Sequence, residues 1–262
     1  MKIPLYQVDA FSKKVFGGNP AAVCPLESMP DDETLQYIAA ENNLSETAFF
    51  VPKTEGLYEL RWFTPTMEVD LCGHATLASA FVIFSFIDSN LASIDFETAS
   101  GVLTVTKSGD LLSMDFPARK PVPAELPETL SKALGGMEPV EVLDSRDLLA
   151  VYEDESTIKD MNPNFDLLTQ INDVFAVIVT APGKNSDFVS RFFAPKAGIP
   201  EDPVTGSAHC TLIPYWSERL KKKKLHAFQV SKRGGELFCE DLGERVKISG
   251  HAVLYSKGEM YL

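Results

Sequence analysis

Two short segments of this chain place polar, chemically active side chains directly before an apolar run. The first is LCGHAT at residues 71–76, and the second is EDPVTGSAHC at residues 201–210. Turn-forming and N-cap residue types followed by apolar residues predict a loop that leads into a helix N-terminus. The backbone N–H groups and the positive end of the helix dipole at such a start can bind a small anion, for example a substrate carboxylate.

The side chains at these two helix starts fit that chemistry. Gly73 and Gly206 would let the backbone come close to a ligand, and the His74 imidazole and the Ser207 hydroxyl would add hydrogen-bond donors. A simpler alternative is that Thr205 and Ser207 only cap a helix. That alternative does not explain why polar residues recur at the same place in both halves of the chain.

The two segments belong to an internal repeat. Residues 61–76 (RWFTPTMEVDLCGHAT) and 191–209 (RFFAPKAGIPEDPVTGSAH) share an Arg-aromatic-Phe-x-Pro sequence, an acidic loop and a Gly-x-Ala motif. Segments 96–116 and 228–248 correspond more loosely, at a similar offset. The shared order indicates a duplicated unit.

Patterning within each half predicts the fold. Alternating and β-branched runs predict strands, such as IPLYQVDAF in the first half and VFAVIVTA in the second. Short amphipathic helices are predicted at 32–42 and 164–172, and a helix that is apolar nearly all round follows each Gly-x-Ala motif and must be enclosed. We expect an α+β fold of two pseudo-symmetric lobes, each a barrel-like, mostly antiparallel sheet around a central helix, with the active site in the cleft between them.

The composition limits the classes of function. Of the 262 residues, 45% are hydrophobic and 23% are charged, as in an ordinary globular protein. A net charge of -13 disfavours binding to nucleic acid or to an anionic membrane surface. The longest apolar stretch, 77–87, is too short for a bilayer span, and MKIPLYQVDAF does not fit a signal peptide. Four scattered cysteines indicate free thiols, so a cytoplasmic location is expected.

Four motifs in order resemble the PhzF-like family, the relatives of the phenazine-biosynthesis isomerase. They are LCGHAT (71–76), EDPVTGSAH (201–209), GNPAAVC (18–24) and NLSETAF (43–49). The resemblance covers essentially the whole chain. The family is similar to diaminopimelate epimerase and proline racemase, whose two-lobed fold matches the one expected from the repeat.

The lobe boundaries follow from the Pro-rich composition and from this resemblance. We predict an N-terminal lobe at 1–117, a linker at 118–128 and a C-terminal lobe at 129–251. In relatives the last strand returns to the first lobe, which makes 252–262 a candidate for completing the sheet of that lobe. The resemblance also implies a homodimer.

Transferred position by position, the resemblance implies a catalytic set and a substrate-binding set. The general acid/base would be Glu46, completed by His74, Asp202 and Ser207. The substrate-binding positions would be Cys72, Gly73, Thr205 and Gly206. The implied reaction is a proton shift next to a carboxylate, an isomerisation that needs no cofactor and no metal.

Three functions, including this isomerase, are consistent with these motifs. The related racemases use two cysteines, one in each Gly-containing motif. Cys72 occupies the first position, but alignment on Gly206 puts Thr205 at the second, and a hydroxyl without an activating partner is too weak an acid to replace a thiol. A racemase or epimerase would depend on Cys72, whereas an isomerase would not. A third alternative is a binding module without turnover.

Two further constellations are disfavoured by their spacing. Cys72, His74, His209 and Cys210 are the residue types of a zinc site, but Cys-x-His and His-Cys are not the usual separated ligand pairs. Ser207 with His209 suggests a hydrolase, but TGSAH lacks the second glycine of a nucleophile elbow.

Overall fold

The structure is a computed structural model and describes residues 2–262. Its contacts divide the chain into two compact units. The first unit comprises the residues up to Asp115 together with Ser249–Leu262, and the second comprises Phe116–Ile248. Within residues 2–262, no helix combines the length and the apolar character that crossing a membrane requires.

The strands lie mainly where β-branched and aromatic residues alternate with polar ones. In chain order they are β1 (Lys2–Ala10), β2 (Asn19–Pro25), β3 (Glu46–Thr54), β4 (Leu57–Phe63), β5 (Glu68–Val69), β6 (Ser93–Thr98), β7 (Gly101–Ser108), β8 (Leu111–Pro117), β9 (Val122–Pro123), β10 (Glu141–Asp144), β11 (Leu148–Val151), β12 (Val177–Pro182), β13 (Phe188–Ala194), β14 (Ile199–Asp202), β15 (Lys224–Gln229), β16 (Gly235–Asp241), β17 (Arg245–Gly250) and β18 (Ala252–Tyr261).

The helices are fewer and mostly short. They are α1 (Asp32–Asn42), α2 (Gly73–Val82), α3 (Leu130–Ala133), α4 (Glu155–Asp160), α5 (Phe165–Thr169) and α6 (Gly206–Leu220). A π-helical turn at Ile83–Ile87 continues α2, and a 3-10 turn lies at Pro195–Ala197. The helix predicted at 32–42 is confirmed. The helix predicted at 164–172 ends earlier, as α5, and α4 precedes it.

In the first unit, a mostly antiparallel sheet surrounds α2. Strand β1 pairs antiparallel with both β18 and β2, while β2 pairs parallel with β3 and β4 pairs parallel with β6. The remaining pairs, β3–β4, β4–β5, β6–β7 and β7–β8, are antiparallel. Helix α2 packs against β1, β2, β3 and β18, and small residues such as Ala75 and Ala78, both fully buried, let the strands close around it. The last strand of the chain therefore completes the first unit.

The second unit repeats this pairing pattern. Strands β10–β11, β12–β13, β13–β14 and β15–β16 pair antiparallel, whereas β11–β12 and β13–β15 pair parallel. Helix α6 packs against β15 and β16 and is buried from Ala208 to Ser217. The predicted linker, 118–128, includes β9, which pairs with β10. The α+β class, with one enclosed helix in each of two similar units, is confirmed.

Candidate active site

The first polar cluster lies at the start of α2 and contains Glu46, Cys72 and His74. Glu46 is the first residue of β3, where it pairs with Ala21 of β2, and α2 packs against both strands. The Nε2 atom of His74 lies 2.9 Å from Oε2 of Glu46, and the Sγ atom of Cys72 lies 3.6 Å from Nδ1 of His74. All three residues are buried, with exposed fractions of 8% for Glu46, 6% for Cys72 and 5% for His74.

The Glu46 carboxylate has unused hydrogen-bonding capacity. Within residues 2–262, its Oε2 atom has no hydrogen-bond partner, so the 2.9 Å approach to His74 is an ion-pair contact without hydrogen-bond geometry. A buried carboxylate oxygen in this condition costs free energy unless a ligand or a proton occupies it. The arrangement suits a group that must accept and release a proton.

Asn19 supports the imidazole from the other side. It is the first residue of β2, is fully buried, and places Nδ2 3.2 Å from Nδ1 of His74. The amide nitrogen can donate to an unprotonated Nδ1, and after a half-turn of the amide the oxygen can accept from a protonated Nδ1. Asn19 therefore fixes the orientation of the His74 ring in either ionisation state.

Burial and charge act in opposite directions on this cluster. Burial lowers the pKa of His74, but the electrostatic and hydrogen-bonding interactions of the ring with Cys72 and Glu46 outweigh burial, and the net shift is well upward. Burial raises the pKa of the Cys72 thiol, and the charge of Glu46 raises it further. The upward shift of the His74 pKa favours a protonated imidazole in this cluster.

The start of α2 has no side-chain cap. Cys72 occupies the N-cap position and makes no capping hydrogen bond, and the first turn has no acidic residue. By contrast, Asp31, Asp154 and Asn164 cap α1, α4 and α5 by accepting from backbone N–H groups. The positive end of α2 is therefore open to an anionic ligand next to Glu46 and His74.

The second polar cluster lies at the start of α6, and Gln229 of β15 holds it together. The Oε1 atom of Gln229 accepts from the Thr205 N–H at 2.9 Å, and Nε2 donates to the Asp202 carbonyl at 2.8 Å and to the Thr205 hydroxyl at 3.1 Å. The Thr205 hydroxyl donates in turn to the Asp202 carboxylate. Gln229 is only 1% exposed. The loop from Asp202 to Thr205 is thus fixed by side-chain hydrogen bonds.

Helix α6 also starts without a side-chain cap. Thr205 is the N-cap residue but makes no capping hydrogen bond, which disfavours the alternative that Thr205 and Ser207 only cap the helix. Gly206 is buried, and Ser207 lies partly buried in the first turn. This helix start therefore matches that of α2 in its backbone.

His209 is a structural residue of α6. It is fully buried, its Nδ1 donates to the Thr205 carbonyl at 2.8 Å, and its ring lies 5.9 Å from that of Phe188. Burial lowers the pKa of His209 to about 4, so the ring is neutral near pH 7. The other ring nitrogen, Nε2, is buried and has no hydrogen-bond partner within residues 2–262, so His209 makes no hydrogen bond to Ser207, which disfavours the hydrolase alternative.

Comparison with known proteins assigns the family. A sequence profile described as "Phenazine biosynthesis-like protein" (PhzC-PhzF) matches residues 8–258. The chain belongs to this family. A family relative from Pseudomonas aeruginosa, described as an uncharacterized isomerase, is 52% identical over 100% of both chains. The resemblance read from the four sequence motifs is confirmed.

Solved structures agree with this family assignment. A PhzF family protein from Enterococcus faecalis superposes with a TM-score of 0.97 at 49% identity, covering 100% of both chains. A hydroxyproline epimerase from Agrobacterium vitis, at 9% identity and a TM-score of 0.66, shares the fold over 98% of this chain and 92% of its own. The chain is a member of a family of isomerases with an epimerase-like fold.

Of the predicted site residues, the structure brings Glu46, Cys72 and His74 together in the first unit. It brings Asp202, Thr205 and Gly206 together in the second, with Ser207 beside them.

Sequence reasoning missed two supporting residues, Asn19 and Gln229. The motif GNPAAVC contains Asn19 and was the available signal for it. Gln229 belongs to no motif, and its partner Thr205 is 24 positions away.

Proposed function

We propose that this protein is a cofactor-independent isomerase that moves a proton within a small carboxylate-bearing substrate, with Glu46 as general acid and base. The observation that carries the proposal is the buried Oε2 of Glu46, which has no hydrogen-bond partner within residues 2–262 and lies 2.9 Å from His74. It stands beside a helix start that has no side-chain cap. A proton acceptor and an anion-binding helix end are the two parts that such a reaction needs.

The chemistry proceeds in two proton transfers. The substrate carboxylate binds at the N–H groups around Gly73, where the dipole of α2 stabilises negative charge. Glu46 removes a proton from a carbon next to the π system, and the electron pair of the broken C–H bond spreads into that system. The carboxyl proton of Glu46 exchanges with solvent, and Glu46 then delivers a proton, or a deuteron in deuterated water, to a different carbon. The substrate keeps its composition, and one double bond changes position.

His74 is proposed to act as the cationic partner of Glu46. An imidazolium 2.9 Å from the carboxylate keeps Glu46 oriented and offsets the negative charge that develops on the substrate. Asp202 and Ser207 stay predicted members of the catalytic set, and Cys72, Thr205 and Gly206 stay predicted substrate-binding positions. A homodimer is likewise proposed from the family resemblance, and a cytoplasmic location is proposed from the four scattered cysteines.

A Cys72-dependent racemase is the second candidate, and the hydrogen bonds of Thr205 argue against it. Such an enzyme needs an acid at the Thr205 position, yet that hydroxyl donates to Asp202 and accepts from Gln229. Burial also raises the pKa of the Cys72 thiol, which makes the thiolate less available as a base. The structure therefore favours a carboxylate over a pair of thiols.

Solvent deuterium exchange tests the proposal. Wild type, Glu46→Gln and Cys72→Ser are incubated in deuterated water with a panel of small unsaturated and hydroxylated carboxylic acids, and mass shifts are measured. We expect wild type and Cys72→Ser to label at least one acid and Glu46→Gln to label none. Labelling that survives in Glu46→Gln but disappears in Cys72→Ser would transfer the chemistry to the thiol. A non-catalytic binding module would bind an acid from the panel without labelling it.

A further inference from the structure

The three side chains at the start of α2 are also arranged as metal ligands. One donor atom from each of Glu46, Cys72 and His74 lies within 4.8 Å of the other two. The His74 Nε2 atom is 2.9 Å from Glu46 Oε2 and 4.0 Å from Cys72 Sγ. In a tetrahedral zinc site with bonds of about 2.0 to 2.3 Å, neighbouring ligand atoms lie roughly 3.3 to 3.7 Å apart. Shifts of about one ångström or less in each distance would therefore place all three atoms around one ion.

The donor types select the class of metal. A thiolate and an imidazole favour zinc and similar borderline-soft ions, whereas calcium and magnesium prefer sites made entirely of oxygen atoms. With a neutral imidazole, the thiolate and the carboxylate together balance the two positive charges of Zn²⁺. Such a neutral cluster is compatible with burial. Asn19 faces Nδ1 of His74, and its amide oxygen can accept the Nδ1 proton of a ring that binds metal through Nε2.

We propose that Glu46, Cys72 and His74 form a binding site for one Zn²⁺ ion, with the fourth coordination position open to water or to a ligand carboxylate. Binding itself does not depend on the proposed isomerase activity. Its consequence rests on the proposed function: an ion bound to Glu46 occupies the oxygen that would accept the substrate proton. Zinc is therefore an inhibitor of the proton transfer and takes no part in it.

His209 and Cys210 do not supply an alternative site. The His209 Nδ1 is held by the Thr205 carbonyl, and the Cys210 thiol lies 3.8 Å from the Gly206 carbonyl in the preceding turn of α6. Both residues belong to the second unit, whereas the three proposed ligands belong to the first. Cys210→Ser is therefore a matched control, because it removes a buried thiol without removing a proposed ligand.

Metal binding without substrate tests this site. The purified full chain, first stripped of metal with a chelator, is titrated with ZnCl₂ against a chromophoric chelator. We expect one Zn²⁺ per chain for wild type and Cys210→Ser, and at least a tenfold loss of affinity in Cys72→Ser and Glu46→Gln. Circular dichroism checks that each variant is folded. Wild-type affinity in Cys72→Ser, loss of binding in Cys210→Ser, or no stoichiometric binding by wild type would overturn the proposal.

Cobalt gives a second measurement that does not rely on variant stability. Wild type titrated with CoCl₂ should show a thiolate-to-cobalt charge-transfer band and the intense visible bands of four-coordinate cobalt. Six-coordinate cobalt without a thiolate band would contradict the ligand set.

Deuterium exchange is measured with a chelator present, so its outcome is independent of these titrations. Where wild type labels a substrate, one equivalent of Zn²⁺ should abolish labelling and EDTA should restore it. Labelling that continues with zinc bound would overturn the inhibitory role.

Discussion

The starts of α2 and α6 are two copies of one backbone design with different side chains. Both helices begin at a glycine, both lack a side-chain cap, and neither has an acidic residue in its first turn. At α2, the buried groups are an ion pair and a thiol. At α6, the buried groups are neutral and hydrogen-bonded to one another through Gln229. The two helix starts therefore share their backbone arrangement and differ in their side chains.

The two helix starts differ in how their polar side chains are used. Glu46 keeps an oxygen without a hydrogen-bond partner within residues 2–262, and that oxygen can exchange a proton. Thr205 aligns with the position where a racemase would need a second thiol. Its hydroxyl donates to the Asp202 carboxylate and accepts from Gln229. We infer that the proton transfer to and from Glu46 takes place at the start of α2, whereas the loop before α6 is held in one conformation by its hydrogen bonds. The predictions below test this division.

The largest expected effect is on catalysis at α2. Glu46→Gln keeps the shape of the side chain but removes the group that carries the proton, so the deuterium-exchange rate should fall by about 10² to 10⁴. Thermal unfolding should show that the variant remains folded. Glu41→Gln, on the exposed surface of α1, is the control and should exchange like wild type. If Glu46→Gln exchanged within a few-fold of the wild-type rate, the Glu46 carboxylate would not be the group that transfers the proton.

The next effect concerns stability at α6 and depends on pH. His209 has a folded-state pKa of about 4, below the ordinary value of 6.5. Between these two pH values the histidine is mostly protonated in the unfolded chain and mostly neutral in the folded chain. Its contribution to stability is present above pH 6.5 and is lost as the pH falls to 4. This loss is up to about 3 kcal/mol, because each pKa unit corresponds to about 1.4 kcal/mol.

The comparison with His209→Gln isolates this contribution from that of other titrating groups. The free energy of unfolding from urea titrations at several pH values should fall more steeply for wild type between pH 6.5 and 4. Parallel curves for the two proteins would show that His209 does not titrate as its burial implies.

Removing the Gln229 side-chain hydrogen bonds is expected to cost slightly less. Gln229→Leu leaves the buried Thr205 N–H and the Asp202 carbonyl without their partner, which should lower the free energy of unfolding by about 2 to 3 kcal/mol. Urea unfolding measures this, with Gln170→Leu on the exposed surface as a control near zero. A Gln229→Leu variant as stable as wild type would mean that the loop from Asp202 to Thr205 does not depend on the Gln229 hydrogen bonds.

The sequence predicted the duplicated parts of the molecule better than the parts that differ. The start of each enclosed helix requires a particular local backbone, so the same Gly-x-Ala motif occurs in both halves of the sequence. This motif located α2 and α6. No local sequence motif indicates the contact between Glu46 and His74. It depends on the parallel pairing of β2 with β3 and on the packing of α2 across them, and only the family resemblance pointed to it.

The buried polar residues that hydrogen-bond to site residues, Asn19 and Gln229, were the hardest to predict from the sequence. Asn19 and His74 lie 55 positions apart, and Gln229 and Thr205 lie 24 positions apart. Each support is a single polar residue at the end of a strand, where no periodicity distinguishes it from a residue exposed to solvent. The enclosed helix expected after the first Gly-x-Ala motif changes at Ile83 into a π-helical turn, in which Phe86 and Ile87 are 42% and 48% exposed.

The smallest expected effect tests the contrast between capped and uncapped helix starts. Asn164 caps α5 by accepting from the Leu167 N–H at 3.0 Å, so Asn164→Ala should lower the free energy of unfolding by about 1 kcal/mol. Asn164→Asp retains the acceptor oxygen and should stay close to wild type in urea unfolding. A ligand carboxylate is the proposed substitute for such a cap at α2, so a bound substrate should raise the unfolding temperature of wild type and of Asn164→Ala equally. Unequal shifts would mean that substrate binding and capping at α5 are coupled, which contradicts a ligand site confined to the uncapped starts.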